Sequence, residues 1–255
     1  MTSANRFSLA GQFALVIGGT SGIGKAIAVG YLEAGAQVVI AGRSQDKLDR
    51  AVRELGAHGE VFGLHADVSD VAGLRGLIGA TLARQGRIDT LVNCQGVTML
   101  KPSEDFTPAD WDTIIATDLK SVFFACTEVG RHMLGRGSGA IVNIASLASH
   151  RGWPGSALYA IAKSGVLSLT QSLGAEWAAR GVRVNAISPG FVMTEMNRDK
   201  MSAERKALAL ARTPAGRFGE TDEMVGAAIY LASPAAGFVT GQTIAVDGGF
   251  LASGL

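Results

Sequence analysis

The chain has 255 residues, 47% of them hydrophobic and 18% charged, with a formal net charge of +1 at pH 7. That balance supports a sizeable core and excludes both a disordered polyelectrolyte and a broad basic surface for nucleic acid. Two cysteines, Cys94 and Cys126, are too few for a disulfide framework or a cysteine-only zinc site, and the histidines have no metal-like spacing, so no metal is expected. Glycine is the outlier, with 34 residues and no fixed period, roughly twice the usual share. So many glycines point to tight turns and to backbone packed close against something else.

The first residues, Met1 to Ala10, are polar, carry Arg6 and precede no long apolar run, so no targeting segment is expected. The uncharged windows Phe7–Gly24 and Met224–Val246 are broken by glycine, hydroxyl and amide residues and do not read as membrane spans. A cytoplasmic, soluble protein is the expectation. Short apolar runs follow at Phe13–Ile17, Val38–Ala41, Val61–His65, Thr90–Val92, Ala140–Ile144, Val182–Ile187 and Thr243–Val246. They are apolar along their length rather than alternating, as suits parallel strands covered on both faces. Helix-length segments lie between them: Ile23–Ala34, Gln45–Leu55, Val71–Gln85, Pro108–Leu134, Tyr159–Ala179 and Asp222–Leu231. The alternation predicts a single α/β domain over residues 1–255, a doubly wound parallel sheet of seven strands with helices on both faces. The stretch of about 190–219 breaks the pattern after the sixth strand, where ligands sit in such sheets, and is a candidate substrate lid.

The turn after the first strand carries Gly18, Gly22 and Gly24, with Thr20, Ser21 and Ile23 between them. Gly18 permits the tight turn, Gly22 lets backbone approach a pyrophosphate, and Gly24 lets the helix pack on the sheet. The phosphate would lie at the helix N-terminus, where unpaired amides and the helix dipole favour negative charge. An acid at the end of the second strand, about 20 residues on, would bind ribose hydroxyls as NAD requires. Here Gly42 occupies that place and Arg43 follows it. A guanidinium without an acid favours a 2′-phosphate, hence NADP, with NAD as the alternative and Ser44 adding a hydrogen bond.

Tyr159 and Lys163 are spaced i, i+4, on one face of a helix. An ammonium beside a tyrosine favours the phenolate and makes the phenol a usable acid or base nearer to physiological pH. Ser146 follows the fifth strand and can hold a substrate oxygen beside Tyr159. Cys94 reads as a small buried hydrophobe, and Arg198–Arg212 as a solvated amphipathic face.

These residues resemble the short-chain dehydrogenase/reductase family over essentially the whole chain, which implies a Rossmann-type fold and an NAD(P)-dependent interconversion of a secondary alcohol and a ketone. The glycine turn resembles the family's T-G-x-x-x-G-x-G with Ile17 in place of the threonine. By the same resemblance Asp67 and Val68 contact adenine. Asn93 and Gly96 match N-N-A-G, from which Cys94 and Gln95 depart. Pro189, Gly190, Val192 and Thr194 match P-G-x-x-x-T, whose threonine holds the nicotinamide carboxamide. Asp247 to Gly249 also fits. Ser146, Tyr159 and Lys163 stand as the catalytic triad, with Lys163 also holding the nicotinamide ribose, and Asp118 stands where the family has a fourth catalytic residue, an asparagine.

Thr98, Ser146, His150, Arg151, Trp153 and Tyr159 are the expected substrate contacts. Residues Thr213–Gly219 and Ala175–Trp177 resemble the sugar-acid and polyol members, of gluconate 5-dehydrogenase type. A 3-oxoacyl-[acyl-carrier-protein] reductase and a catalytically inactive cofactor-binding regulator are the alternatives. The resemblance further implies a homotetramer packed through the two long helices and the last strand.

Overall fold

The computed structural model describes residues 6–194 and 201–253. Its strands are β1 Phe13–Ile17, β2 Gln37–Gly42, β3 Val61–His65, β4 Thr90–Asn93, β5 Gly139–Ile144, β6 Val182–Pro189 and β7 Thr243–Val246. They form one seven-stranded sheet in the order β3-β2-β1-β4-β5-β6-β7, and every pair is parallel. Leu15 in β1 lies opposite Val39 in β2 and Leu91 in β4. Successive side chains of a strand point to opposite faces. Leu15 and Ile17 therefore enter one apolar layer, and Ala14 and Val16 the other.

The helices are α1 Gly22–Glu33, α2 Gln45–Leu55, α3 Val71–Gln85, α4 Pro108–Ile115, α5 Ser121–Arg136, α6 Ala157–Trp177, α7 Ala203–Ala211 and α8 Val225–Ala232. Buried residues of α1, α2 and α8, such as Ile27, Leu48 and Leu231, cover one face. Those of α3, α5 and α6, such as Leu77, Val129 and Val166, cover the other. The strand order reverses between β1 and β4, and helices leave these two strands to opposite faces. A crevice must open at their carboxyl ends.

Two elements depart from the expectation. The long helix over Pro108–Leu134 is instead α4, a π-helical turn at Ala116–Lys120, and α5. The widened turn carries Thr117 and Asp118, both buried. Such bulges insert one residue without ending the helix, and hydrophobic periodicity does not reveal them. The last predicted helix begins as a 3₁₀ turn, Thr221–Met224, before α8. In the predicted lid, Val192 and Gly219 form a bridge that ties the two feet of the insertion together, and α7 lies between them. Residues 195–200 of that lid, and Arg198 at the start of the predicted amphipathic face, lie outside the described residues. Among the described residues no helix is long and apolar enough to cross a membrane.

Buried polar side chains pin α6 to the sheet. Asn93 Nδ2 in β4 donates to Asn143 Oδ1 in β5 at 2.9 Å. Asn143 Nδ2 donates to Thr170 Oγ1 in α6 at 3.0 Å, and Thr170 in turn donates to Val166 O at 2.8 Å. Each side chain of this ladder finds a hydrogen-bond partner, so it is not a penalty but a register device. At the far end of α6, Gly174 meets the backbone before β7: a Cβ there would lie 2.5 Å from Gly241 N. Gly174→Ala is expected to force helix and loop apart, at a cost of about 1–3 kcal/mol. Thermal unfolding should show a midpoint lower by several degrees. An unchanged midpoint would mean that the loop yields freely.

Candidate active site

The crevice is a cleft of about 580 Å³ lined at one end by the turn after β1 and at the other by Ser146 and Tyr159. At the turn, Gly18 has φ +81 and Gly22 has φ +53, a region that favours glycine. A Cβ on Gly18 would lie 2.8 Å from the Cys94 carbonyl, and one on Gly24 would lie 2.2 Å from Gly18 O. The turn is thus drawn tight against β4 and against its own helix. Ser21 precedes α1 but makes no side-chain capping bond, and the first turn carries no acid. The amides of that turn are left for an anion, as a pyrophosphate requires. Thr194 stands over the turn, its Cγ2 3.5 Å from where a Gly22 Cβ would be.

The adenosine end is built from β2 and β3. A Cβ on Gly42 would lie 2.6 Å from Thr20 Cγ2, so the phosphate turn itself crowds the place where an acid would stand. Arg43 is exposed beside it and forms no ion pair among the described residues. Ser44 Oγ accepts from Lys47 N at 3.4 Å, capping α2. Arg43, Ser44 and Lys47 all line the cleft. Asp67 accepts from Ser69 Oγ at 2.7 Å and from Ser69 N at 3.0 Å, which holds its carboxyl below the usual range. With Val68 it lines the same end. The donor set and the uncapped helix terminus fit a dinucleotide.

At the other end, Ser146 leaves β5 and its Oγ accepts from Ala148 N at 3.2 Å. Tyr159 lies in the first turn of α6, and Lys163, one turn later, is buried. Lys163 Nζ is 5.8 Å from the Tyr159 ring centroid and donates to Ile144 O at 3.1 Å. It also lies 3.6 Å from Asp118 Oδ2. Asp118 Oδ1 accepts from Val97 N at 2.7 Å, whereas Oδ2 has no hydrogen-bond partner. Gly96 makes this packing possible, because a Cβ there would lie 2.9 Å from Asp118 Oδ2. Burial raises the Asp118 carboxyl above its ordinary range, with Lys163 and the Val97 amide pulling against it. Burial works against the Lys163 ammonium more than any one neighbour favours it, yet Asp118, with smaller contributions from Tyr159 and Cys94, tips the balance and holds the lysine above its ordinary range.

Not every predicted residue faces the cleft. Thr98, Arg151, Trp153, Gly96, Pro189, Gly190, Val192, Thr20 and Ile23 line it. Asn93 does not: it is buried in the ladder to Asn143, where an interior amide must find a partner. His150 turns away, hydrogen-bonded through Nε2 to Ser188 Oγ at 2.9 Å. The Arg151 guanidinium is committed to the Leu251 and Ser253 carbonyls at 2.8 and 3.3 Å. Cys94 packs under the turn, and burial pushes its thiol up to about 11. It carries no thiolate at neutral pH.

The structure adds residues that local spacing had not singled out. Phe191 and Phe250 join Trp153, already an expected substrate contact, in an aromatic wall, with centroids 5.2 Å apart for Trp153–Phe191 and 5.5 Å for Phe191–Phe250. Asp247 holds Phe250 there by accepting from Gly249 N at 2.9 Å and Leu251 N at 2.8 Å. Arg205, inside the predicted solvated face, is a cleft residue and only half-exposed. Lys47 carries one signal that was available, a cation four residues after Arg43 on a helix that opens at the adenosine end. Among the described residues no cluster of His, Cys, Asp or Glu could hold a metal.

A parallel doubly wound sheet with this glycine turn, and with serine, tyrosine and lysine at the far end of one cleft, defines a dinucleotide-dependent oxidoreductase. The family model described as Enoyl-(Acyl carrier protein) reductase matches residues 18–251. The chain belongs to the short-chain dehydrogenase/reductase family of NAD(P)-dependent enzymes acting on CH–OH groups. It is 39% identical to gluconate 5-dehydrogenase of Gluconobacter oxydans, covering 99% of this chain and 100% of the relative. It is 40% identical to D-threitol dehydrogenase of Mycolicibacterium smegmatis (96% and 94% covered). It is 38% identical to a 3-oxoacyl-[acyl-carrier-protein] reductase of Chlamydia pneumoniae (97% and 98%). Among solved structures, a gluconate 5-dehydrogenase from Burkholderia cenocepacia in complex with NADP and tartrate superposes with a TM-score of 0.94 at 40% identity, covering 98% of this chain and 99% of that one.

Because Asp118 sustains the Lys163 charge, Asp118→Asn is expected to let Lys163 lose its proton at lower pH. The alkaline limb of the kcat/KM profile should move to lower pH. A limb that stays in place would mean that the Ile144 carbonyl alone holds the ammonium.

Proposed function

We propose that the protein is an NADP(H)-preferring dehydrogenase that interconverts a secondary alcohol and a ketone on a sugar acid or polyol, as gluconate 5-dehydrogenases do. The observation that carries the reading is the single cleft joining Arg43 at its adenosine end to Ser146 and Tyr159 at the other. Gly18, Ser21, Gly22, Gly24, Asp67, Val68 and Thr194 would hold the dinucleotide along it. Its nicotinamide supplies or accepts the hydride.

The side chains supply position and the proton. The Ser146 hydroxyl orients the substrate oxygen. Tyr159 Oη takes the alcohol proton in oxidation and returns it to the carbonyl oxygen in reduction. Lys163, fixed between Ile144 O and Asp118, keeps a positive charge beside the phenol. Asp118 acts through Lys163. Residues 190–219 act as the substrate lid: Phe191 at one foot and Arg205 on α7 both line the cleft. Trp111 on α4 and Phe123 on α5 are large apolar side chains left exposed, and we assign that face to a homotetramer interface. Two unpaired thiols, Cys94 and Cys126, suit a reducing compartment, and we place the enzyme in the cytoplasm.

The aromatic wall favours a second reading, reduction of an acyl thioester with an apolar chain. NADPH consumption with 5-keto-D-gluconate and with acetoacetyl thioesters separates the two. Turnover of the thioester alone would sink the sugar-acid reading. Tyr159→Phe should abolish turnover while NADPH still binds; loss of both, or of neither, would count against the assigned role. Arg43→Ala should raise KM for NADPH about 10- to 100-fold, from the loss of charge-assisted bonds to a phosphate. KM for NADH should stay within about twofold under the same principle. Equal effects on both cofactors would remove Arg43 from the discrimination.

A further inference from the structure

Three cations reach the substrate end of the cleft: Lys163, Arg151 and Arg205. Two are committed, Lys163 to Asp118 and the Ile144 carbonyl, and Arg151 to the carbonyls of Leu251 and Ser253. Arg205 is different. Its guanidinium lies 5.4 Å from the Trp153 ring centroid and donates from Nη2 to Ser156 Oγ at 3.3 Å. Among the described residues no carboxylate pairs with it. A guanidinium has five N–H donors in a planar fork, and here the protein uses one from the side chain. Burial pulls its pKa down, and among the described residues no anion matches this half-buried charge.

Position gives that charge a task. Ser156 immediately precedes α6, one turn before Tyr159, so the guanidinium is anchored roughly 4.5 Å along the helix axis from the phenol's residue. A short hydroxy acid whose reacting oxygen meets Ser146 and Tyr159 can reach Arg205 with its far end. The Trp153 face fixes the plane of the fork, which is what bidentate capture of a carboxylate needs. Arg205 sits on α7, within the insertion that distinguishes this end of the cleft.

We propose that Arg205 is the binding residue for the substrate's carboxylate, and that it selects hydroxy acids over neutral polyols. This rests on the sugar-acid reading above and makes it specific. Arg151, the more obvious cation in sequence beside Ser146, is instead tied by both terminal nitrogens to the C-terminal turn next to Phe250, which holds its fork away from a bidentate approach.

The test uses the whole protein with NADP, titrated with D-gluconate and with the neutral D-sorbitol, binding being read from tryptophan fluorescence because Trp153 lies under the fork. Turnover of 5-keto-D-gluconate is followed alongside. Arg205→Ala should weaken gluconate binding about 10- to 100-fold and raise KM with little change in kcat, while sorbitol binding stays within about twofold. Arg205→Lys should recover only part of the loss, since a point charge lacks the fork. Equal weakening of acid and polyol would show a structural role and overturn the proposal, as would gluconate binding that the variants leave unchanged. Tartrate serves as a third probe. A wild-type chain that binds tartrate through Arg205 but never turns over the keto acid would uphold the carboxylate site and sink the sugar-acid reading, so the two failures are distinguishable.

Discussion

The arrangement of this protein depends on keeping one ammonium, that of Lys163, inside the molecule. Burying a charge costs several kcal/mol unless partners replace water. Here the partners are the Ile144 carbonyl at 3.1 Å and the Asp118 carboxylate at 3.6 Å. Meeting that demand shapes three distant segments. The helix between β4 and β5 widens into a π turn that carries Asp118 inward. Gly96 stays without a side chain so that the carboxylate fits. The Asn93–Asn143–Thr170 ladder fixes α6, and with it both Lys163 and Tyr159, against the sheet.

The cleft divides its work between backbone and side chains. At the phosphate end, selection falls on what is absent: side chains on Gly18, Gly24 and Gly42, and a cap on α1. Amides and the helix dipole are thereby left facing the cleft, as an anion requires. At the reacting end, a few side chains are held by others, Ser146 by the Ala148 amide and Lys163 by Asp118. The mouth is assembled late in the chain, from the insertion after β6 and the turn that Asp247 braces. This division accounts for a composition rich in glycine and modest in charge.

Much of this was legible in residue order. Apolar runs located all seven strands, because a strand buried on both faces has no polar alternation to blur it. The glycine turn and the i, i+4 spacing of Tyr159 and Lys163 announced both ends of the cleft, since each is a local pattern whose chemistry depends on neighbours within a few residues. Nearness in sequence says less about where a side chain finds its partners. His150 and Arg151 follow Ser146 closely, yet Ser188 and the C-terminal carbonyls claim them. Asn93 fits the motif and belongs to the core.

Residue order therefore settles the sheet and marks out the glycine turn and the Tyr159–Lys163 pair, all of which follow from short-range periodicity and backbone freedom. The three-dimensional fold decides which polar groups remain available. Arg151 and Arg205 carry the same guanidinium and both stand at the cleft, and only contacts between remote segments tie both terminal nitrogens of one to carbonyls and just one of the other to a hydroxyl. Asp118 is likewise an ordinary helical aspartate until the π turn brings it to Lys163, and no local rule encodes a meeting between residues that the fold brings together from separate helices.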